Sequence, residues 1–134
     1  MSEIRYMAEH NNSGNAMNLS ETNEITLARL GAVTIFNVKG DLTAFSEPLF
    51  NDAYKQAIGQ ETKKILFNFN RNAYINSAGI AILIQIISQS IKRNHRIGII
   101  GLSKHFIKIF NMLGITKFSK IHDNLQTAIE ALNV

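Results

Sequence analysis

The segment Lys64-Ile-Leu-Phe-Asn-Phe69 restricts most tightly what this chain can fold into. Six residues dense in apolar side chains, without Gly or Pro, read as a strand of central character. The strand runs into a polar loop, residues 70–76, and a long apolar pattern of helical period follows from about Ser77. A strand therefore holds a loop in place, and the loop presents a hydroxyl at or near the first turn of a helix.

Around this core the elements alternate. Ile25–Leu30 alternates apolar and polar residues, as a half-buried strand does. Gly31-Ala32 makes a tight connection to a second strand, Val33–Val38, expected to be antiparallel to the first, and Lys39-Gly40-Asp41 breaks it. Ser46, Glu47 and Pro48 are entry signals for a helix carrying Phe50, Ala53, Tyr54, Ala57 and Ile58, with Gly59 as its stop. After the central strand, the helix from Ser77 is expected to bury Ile80, Leu83, Ile84, Ile87 and Ile91, and Lys92-Arg93-Asn94 closes it. Arg96–Gly101 is a further strand. Ser103 caps a helix with Phe106, Ile109, Phe110 and Leu113 on its core stripe, ended by Gly114. Phe118–Ile121 reads as a last short strand. Asp123 or Asn124 then caps a final helix with Leu125, Ala128, Ile129 and Leu132 on one face.

The order β-β-α-β-α-β-α-β-α implies an α/β fold: a single domain over 24–134, with a mixed, mostly parallel sheet of about five strands packed with about four helices. Residues 1–23 are polar, rich in Asn, Ser and Glu, and are read as a flexible N-terminal arm. At 134 residues the chain is one domain long. Its zero cysteines exclude disulfides and thiolate metal sites. No apolar run reaches the ~18 residues of a membrane span, and residues near the start form no secretory h-region, so the expectation is a cytoplasmic protein without membrane contact. The net charge of +4 is concentrated in the C-terminal half, at Lys92, Arg93, Arg96, Lys104, Lys108, Lys117 and Lys120. This is read as a solvated surface without an aromatic stacking platform, so no direct nucleic-acid binding is expected.

Candidate chemistry is sparse. His10, His95, His105 and His122 have no metal-ligand spacing, so neither a metal site nor any other cofactor is expected. There is no Gly-x-x-x-x-Gly-Lys-Ser/Thr, no Gly-x-Gly-x-x-Gly and no Gly-x-Ser-x-Gly elbow around Ser77. Ser77 has a plain reading as a helix N-cap. Its other reading is a modification site, because a helix dipole offers partial positive charge where a phosphate would sit. Gly79 would let another segment approach closely, and Asn76 keeps the loop polar and neutral. Ala78, Ile82 and Ile86 lie roughly opposite the expected core arc, and an apolar stripe there, beside Ser77, reads as a docking surface.

These residues resemble the STAS domain, and within it the bacterial anti-sigma factor antagonists, over about residues 24–133. Ile75-Asn-Ser-Ala-Gly-Ile80 resembles the Asp-Ser-Ser/Thr/Ala-Gly-Leu signature at the start of that family's second helix. Gly40-Asp41-Leu42-Thr43 resembles its Gly-x-Leu-Asp turn, and Met112–Phe118 and Leu125–Leu132 resemble its C-terminal end. The resemblance implies a regulator in a partner-switching pathway of transcription that is not itself an enzyme. A kinase-like anti-sigma partner would phosphorylate Ser77, and a serine phosphatase would reverse the modification. Gly40, Asp41, Thr43, Asn76, Ala78, Gly79, Ile82 and Ile86 would then belong to the partner surface of a monomer or weak dimer. Asn76 and Thr43 depart from the family, which usually has Asp at both places, and so remove negative charge from that surface. The alternatives are a non-phosphorylated STAS scaffold or ligand-sensing module, and a small enzyme using Ser77 as nucleophile.

Overall fold

The computed structural model describes residues 3–8, 23–69 and 73–134. Six strands form one sheet in the order β1 (Glu3–Ala8), β2 (Asn23–Leu30), β3 (Val33–Lys39), β4 (Lys64–Phe69), β5 (Arg96–Ile100) and β6 (Lys120–Ile121). β1 pairs antiparallel with β2, and β2 with β3; from β3 to β6 every neighbour is parallel. The helices are α1 (Glu47–Gly59), α2 (Ser77–Lys92), α3 (Lys104–Met112) and α4 (Leu125–Leu132).

The expected element order is present, with one strand added. Glu3–Ala8, inside the stretch read as a flexible arm, pairs along its whole length with β2, in register Glu3 opposite Ala28 to Ala8 opposite Asn23. The rest of that stretch, residues 1–2 and 9–22, lies outside the described residues. The last strand is shorter than expected, because residues 115–117 form a 3-10 turn and leave only Lys120 and Ile121 to pair with β5.

Period-two alternation along the strands sorts their side chains between two helical layers. Ile25, Leu27, Phe36, Val38, Ile65, Phe67, Phe69, Ile97 and Ile99 pack with α1, α2 and α3 on one face. Ala28, Val33, Ile35, Leu66 and Ile100 pack with Ala128 and Leu132 of α4 on the other. β4 is thus apolar on both faces because helices cover both. Phe67 anchors the larger layer, with its ring 5.1 Å from Phe36, 6.3 Å from Phe69 and 6.5 Å from Phe50, centroid to centroid. Side chains of this size each contribute up to about 3 kcal/mol on full burial.

α2 buries a different face from the one expected. Its buried residues are Gly79, Ile82, Leu83, Ile86, Ile87 and Ser90, while Ile84 is 40% exposed. Taking about 100° per residue, the core-facing arc is turned by roughly 90° toward Ile82 and Ile86; Leu83 and Ile87 are buried as expected, and Ile80 and Ile91 are partly buried at its edge. Ile82 and Ile86 therefore belong to the core and are removed from the expected docking surface. The physical reason is that isoleucine occurs almost all round this helix. The arc was decided instead by a small residue, Gly79, and by a buried polar pair, Ser90 Oγ and the Tyr54 hydroxyl at 2.8 Å. In the same way Leu113, expected on the core stripe of α3, is 52% exposed, and Leu125 of α4 is 42% exposed.

Candidate functional site

Two segments that each follow a parallel strand meet at the C-terminal end of the sheet. After β3 comes the turn Gly40–Thr43, and after β4 comes Ala73–Asn76, leading into α2. They are joined by backbone: the Leu42 N–H donates to Tyr74 O at 2.9 Å, and the Asn76 N–H donates to Leu42 O at 3.1 Å. This makes a one-residue parallel bridge between Leu42 and Ile75, both buried. Asp41 adds a side-chain tie, its Oδ1 accepting from the Tyr74 N–H at 2.8 Å.

Two glycines make the arrangement possible. Gly40 has φ +87°, a left-handed conformation that turns the chain out of β3 and that side chains disfavour. Gly79 lies directly against the turn, where an added Cβ would stand 2.6 Å from Leu42 O and 2.8 Å from Leu42 Cβ. Only hydrogen fits there. The first turn of α2 is therefore pressed onto backbone, which cannot swing aside as a flexible side chain would.

The helix caps differ from the sequence expectation, and the difference frees Ser77. Asn76 is the N-cap of α2, with Oδ1 accepting from the Gly79 N–H at 2.9 Å. Ser77 is the first helical residue and is exposed, and its hydroxyl has no hydrogen-bond partner among the described residues. At the entry to α1, Ser46 does not cap that helix. It joins Thr43 in a capping box around the 3-10 turn Ala44–Ser46, with Thr43 Oγ1 accepting from the Phe45 N–H and Ser46 Oγ from the Thr43 N–H.

The electrostatics around Ser77 come from backbone. The first turn of α2 contains no acidic residue. The Ile80 N–H bonds Asn76 O and the Gly79 N–H bonds the cap, while the N–H groups of Ser77 and Ala78 have no acceptor among the described residues. Unused amides at a helix start carry partial positive charge. The surface beside them is apolar: Tyr74 is 58% exposed with its ring edge on Phe106, and Ile84 lies two turns along the helix from Ser77.

Of the residues expected to form a site, Gly40, Asp41, Thr43, Asn76, Ser77 and Gly79 are gathered here, and Ala78 lies partly exposed beside Ser77. Ile82 and Ile86 face inward. Ile84, expected in the core, and Ala81 are exposed beside the site instead, while Ile80 is partly buried against the core as expected. No group of three His, Cys, Asp or Glu that could hold a metal occurs among the described residues.

Four helices, a mostly parallel sheet and an exposed serine at the start of α2 define a small α/β domain of the crossover type. Comparison with family profiles places the chain more narrowly: the STAS domain profile matches residues 24–128, and the chain belongs to the STAS-domain family. Among solved structures, the fold is similar to that of an anti-sigma factor antagonist from Mycobacterium paratuberculosis, with TM-score 0.70, 14% identity, and coverage of 82% of this chain and 93% of that one. It is similar to the protein TM1081, with TM-score 0.68 and 14% identity over 80% of this chain and 86% of the other. It is also similar to the Bacillus cell fate determinant SpoIIAA in its phosphorylated form, with TM-score 0.60 and 15% identity over 80% and 97%. At these identities the likeness shows the fold. No curated protein sequence matches the chain.

Proposed function

We propose that this chain is an anti-sigma factor antagonist-type regulator that binds a kinase-like anti-sigma partner in the cytoplasm and is switched off by phosphorylation of Ser77. The observation that carries the reading is the division of labour at the start of α2: Asn76 does the capping, and the Ser77 hydroxyl is left exposed and unbonded. The partner transfers the γ-phosphoryl group of ATP to Ser77 Oγ, releasing ADP and a proton, and a serine phosphatase hydrolyses the ester. The chain is the substrate in both steps and not the enzyme. Two of its solved neighbours support this reading by their descriptions, one an anti-sigma factor antagonist and one described in a phosphorylated form.

The added group carries about −1.5 to −2 charges at neutral pH. Within this fold the free N–H groups of Ser77 and Ala78 and the helix dipole offset part of that charge. A partner seated over Gly40, Asp41, Thr43, Asn76, Ala78, Gly79 and the exposed Ala81 and Ile84 has no such compensation. It must desolvate the phosphate or leave. The serine-nucleophile alternative lacks a base hydrogen-bonded to Ser77 Oγ among the described residues. Capture of the chain from its own cells, followed by phosphosite mapping, tests the proposal. A kinase-like partner and phosphate on Ser77 are expected, the latter lost in Ser77→Ala. A chain recovered with phosphate elsewhere, or with none under any growth condition, overturns it.

A further inference from the structure

The opposite end of the sheet carries a second feature. An open groove of about 640 Å³ lies where β5 and β6 begin, bounded by the 3-10 turn at 115–117 and the last turn of α4. That volume is in the range of small-molecule sites. Its floor is apolar, from Ile97, Ala131 and Leu132, and no Asp or Glu lines it. The walls are basic, from Arg96, Lys117 and Lys120, with His95 and His122 beside them.

The arginine is already committed. Arg96 Nη1 donates to Leu132 O at 3.1 Å and also to Val134 O, and Nη2 donates to Ala131 O at 2.9 Å. It thereby answers the carbonyls that end α4, which would otherwise repel an anion. Lys117 and Lys120 remain exposed, and neither ammonium group has a hydrogen-bond or ion-pair partner among the described residues. Phe118 stands between them in sequence with its ring 62% exposed, a large apolar surface left in water beside two ammonium groups. The hydroxyls at the rim are also spent: Thr116 donates to Asn111 Oδ1, and Ser119 donates to Ile115 O. Recognition here therefore falls to the two lysines, the phenylalanine ring and the apolar floor.

We propose that this groove binds a small phosphomonoester with a planar or apolar body, the phosphate between Lys117 and Lys120 and the body against Phe118, Ile97 and Leu132. A dianion matches two ammonium groups better than a monoanion does. A ring matches an exposed aromatic above an apolar floor. The proposal stands apart from the reading of Ser77, which lies at the other end of the strands.

The test is an NMR titration of the full chain with phenyl phosphate, with inorganic phosphate and phenol as comparison probes. Saturable shifts are expected at Phe118, Lys120, His122 and Leu132 and not around Ser77, with weaker binding of either comparison probe. The double variant Lys117→Gln/Lys120→Gln changes exposed residues only, and its amide dispersion checks that the fold is kept. It is expected to weaken phenyl phosphate by about tenfold, since each exposed charge contributes up to about a factor of five. Shifts that grow without saturating, equal affinity for inorganic phosphate, or unchanged affinity in the folded double variant overturn the proposal.

Discussion

The two ends of the parallel strands are built on opposite principles. At the C-terminal end, Leu42, Ile75 and Gly79 are packed and bonded through backbone, and among the described residues the Ser77 hydroxyl and the amides of Ser77 and Ala78 are left without partners. At the N-terminal end, α4 and the start of β5 are tied by one arginine, and two lysines and an aromatic ring face water. A surface of low charge on a rigid mount, with Asp41 its one acidic side chain among the described site residues, is changed most by adding a charge at Ser77. A basic groove already carries its charge and discriminates by what it attracts. The first end suits an on–off contact and the second suits retention of an anion.

That contrast can be broken by single substitutions. The largest effect is expected at Gly79, because Gly79→Ala puts a methyl group 2.6 Å from a backbone oxygen. Overpacking of this kind costs about 2–3 kcal/mol, to be read as a lowered urea midpoint. Asn76→Ala removes the cap of α2 and is expected to cost about 1 kcal/mol, whereas Asn76→Asp keeps the cap and leaves stability close to the parent's.

At the other end the effects are smaller and depend on pH. His95 and His122 both bind protons less readily than a free imidazole. Burial is the main cause for each, followed by Arg93 for His95 and by Lys120 for His122, against which Asp123 acts in the opposite direction. The unfolded chain therefore takes up these protons first. Stability present above about pH 6.5 should fall as the pH drops through the lowered folded values, and the fall should flatten in His95→Gln/His122→Gln. Denaturant titrations at pH 7 and pH 5 check the sign. The smallest change is expected for Lys117→Gln/Lys120→Gln, within about 0.5 kcal/mol of the parent, since both residues are exposed.

Much of the fold was legible because the strands are short apolar runs bounded by Gly, Asp or Lys, and because alternation with helices dictates parallel pairing. The site was legible where backbone geometry demands a residue type. Gly40 was read as part of a strand break and placed in the site by the family resemblance, and Gly79 was read as a point of close approach; the structure gives Gly40 a left-handed φ and leaves no room for a Cβ at Gly79. The rotation of α2 was not legible, because hydrophobicity cannot choose a face on a helix with isoleucine at positions 80, 82, 84, 86, 87 and 91. Which of two adjacent residues, Asn76 or Ser77, caps the helix was also hidden, since both side chains can accept the bond. Glu3–Ala8 escaped notice because an edge strand can draw its stability from pairing along β2 without a strong apolar pattern of its own.

The central claim is that charge on Ser77 controls a protein contact without disturbing the fold. Calorimetric titration of the captured partner against parent, Ser77→Asp and Ser77-phosphorylated chain tests it most directly, with thermal melts run on the same samples. Affinity is expected to fall at least about tenfold for the phosphorylated chain and in the same direction for Ser77→Asp, with melting temperatures within a few degrees of the parent. Equal affinity for the parent and the phosphorylated chain, both folded, would contradict it.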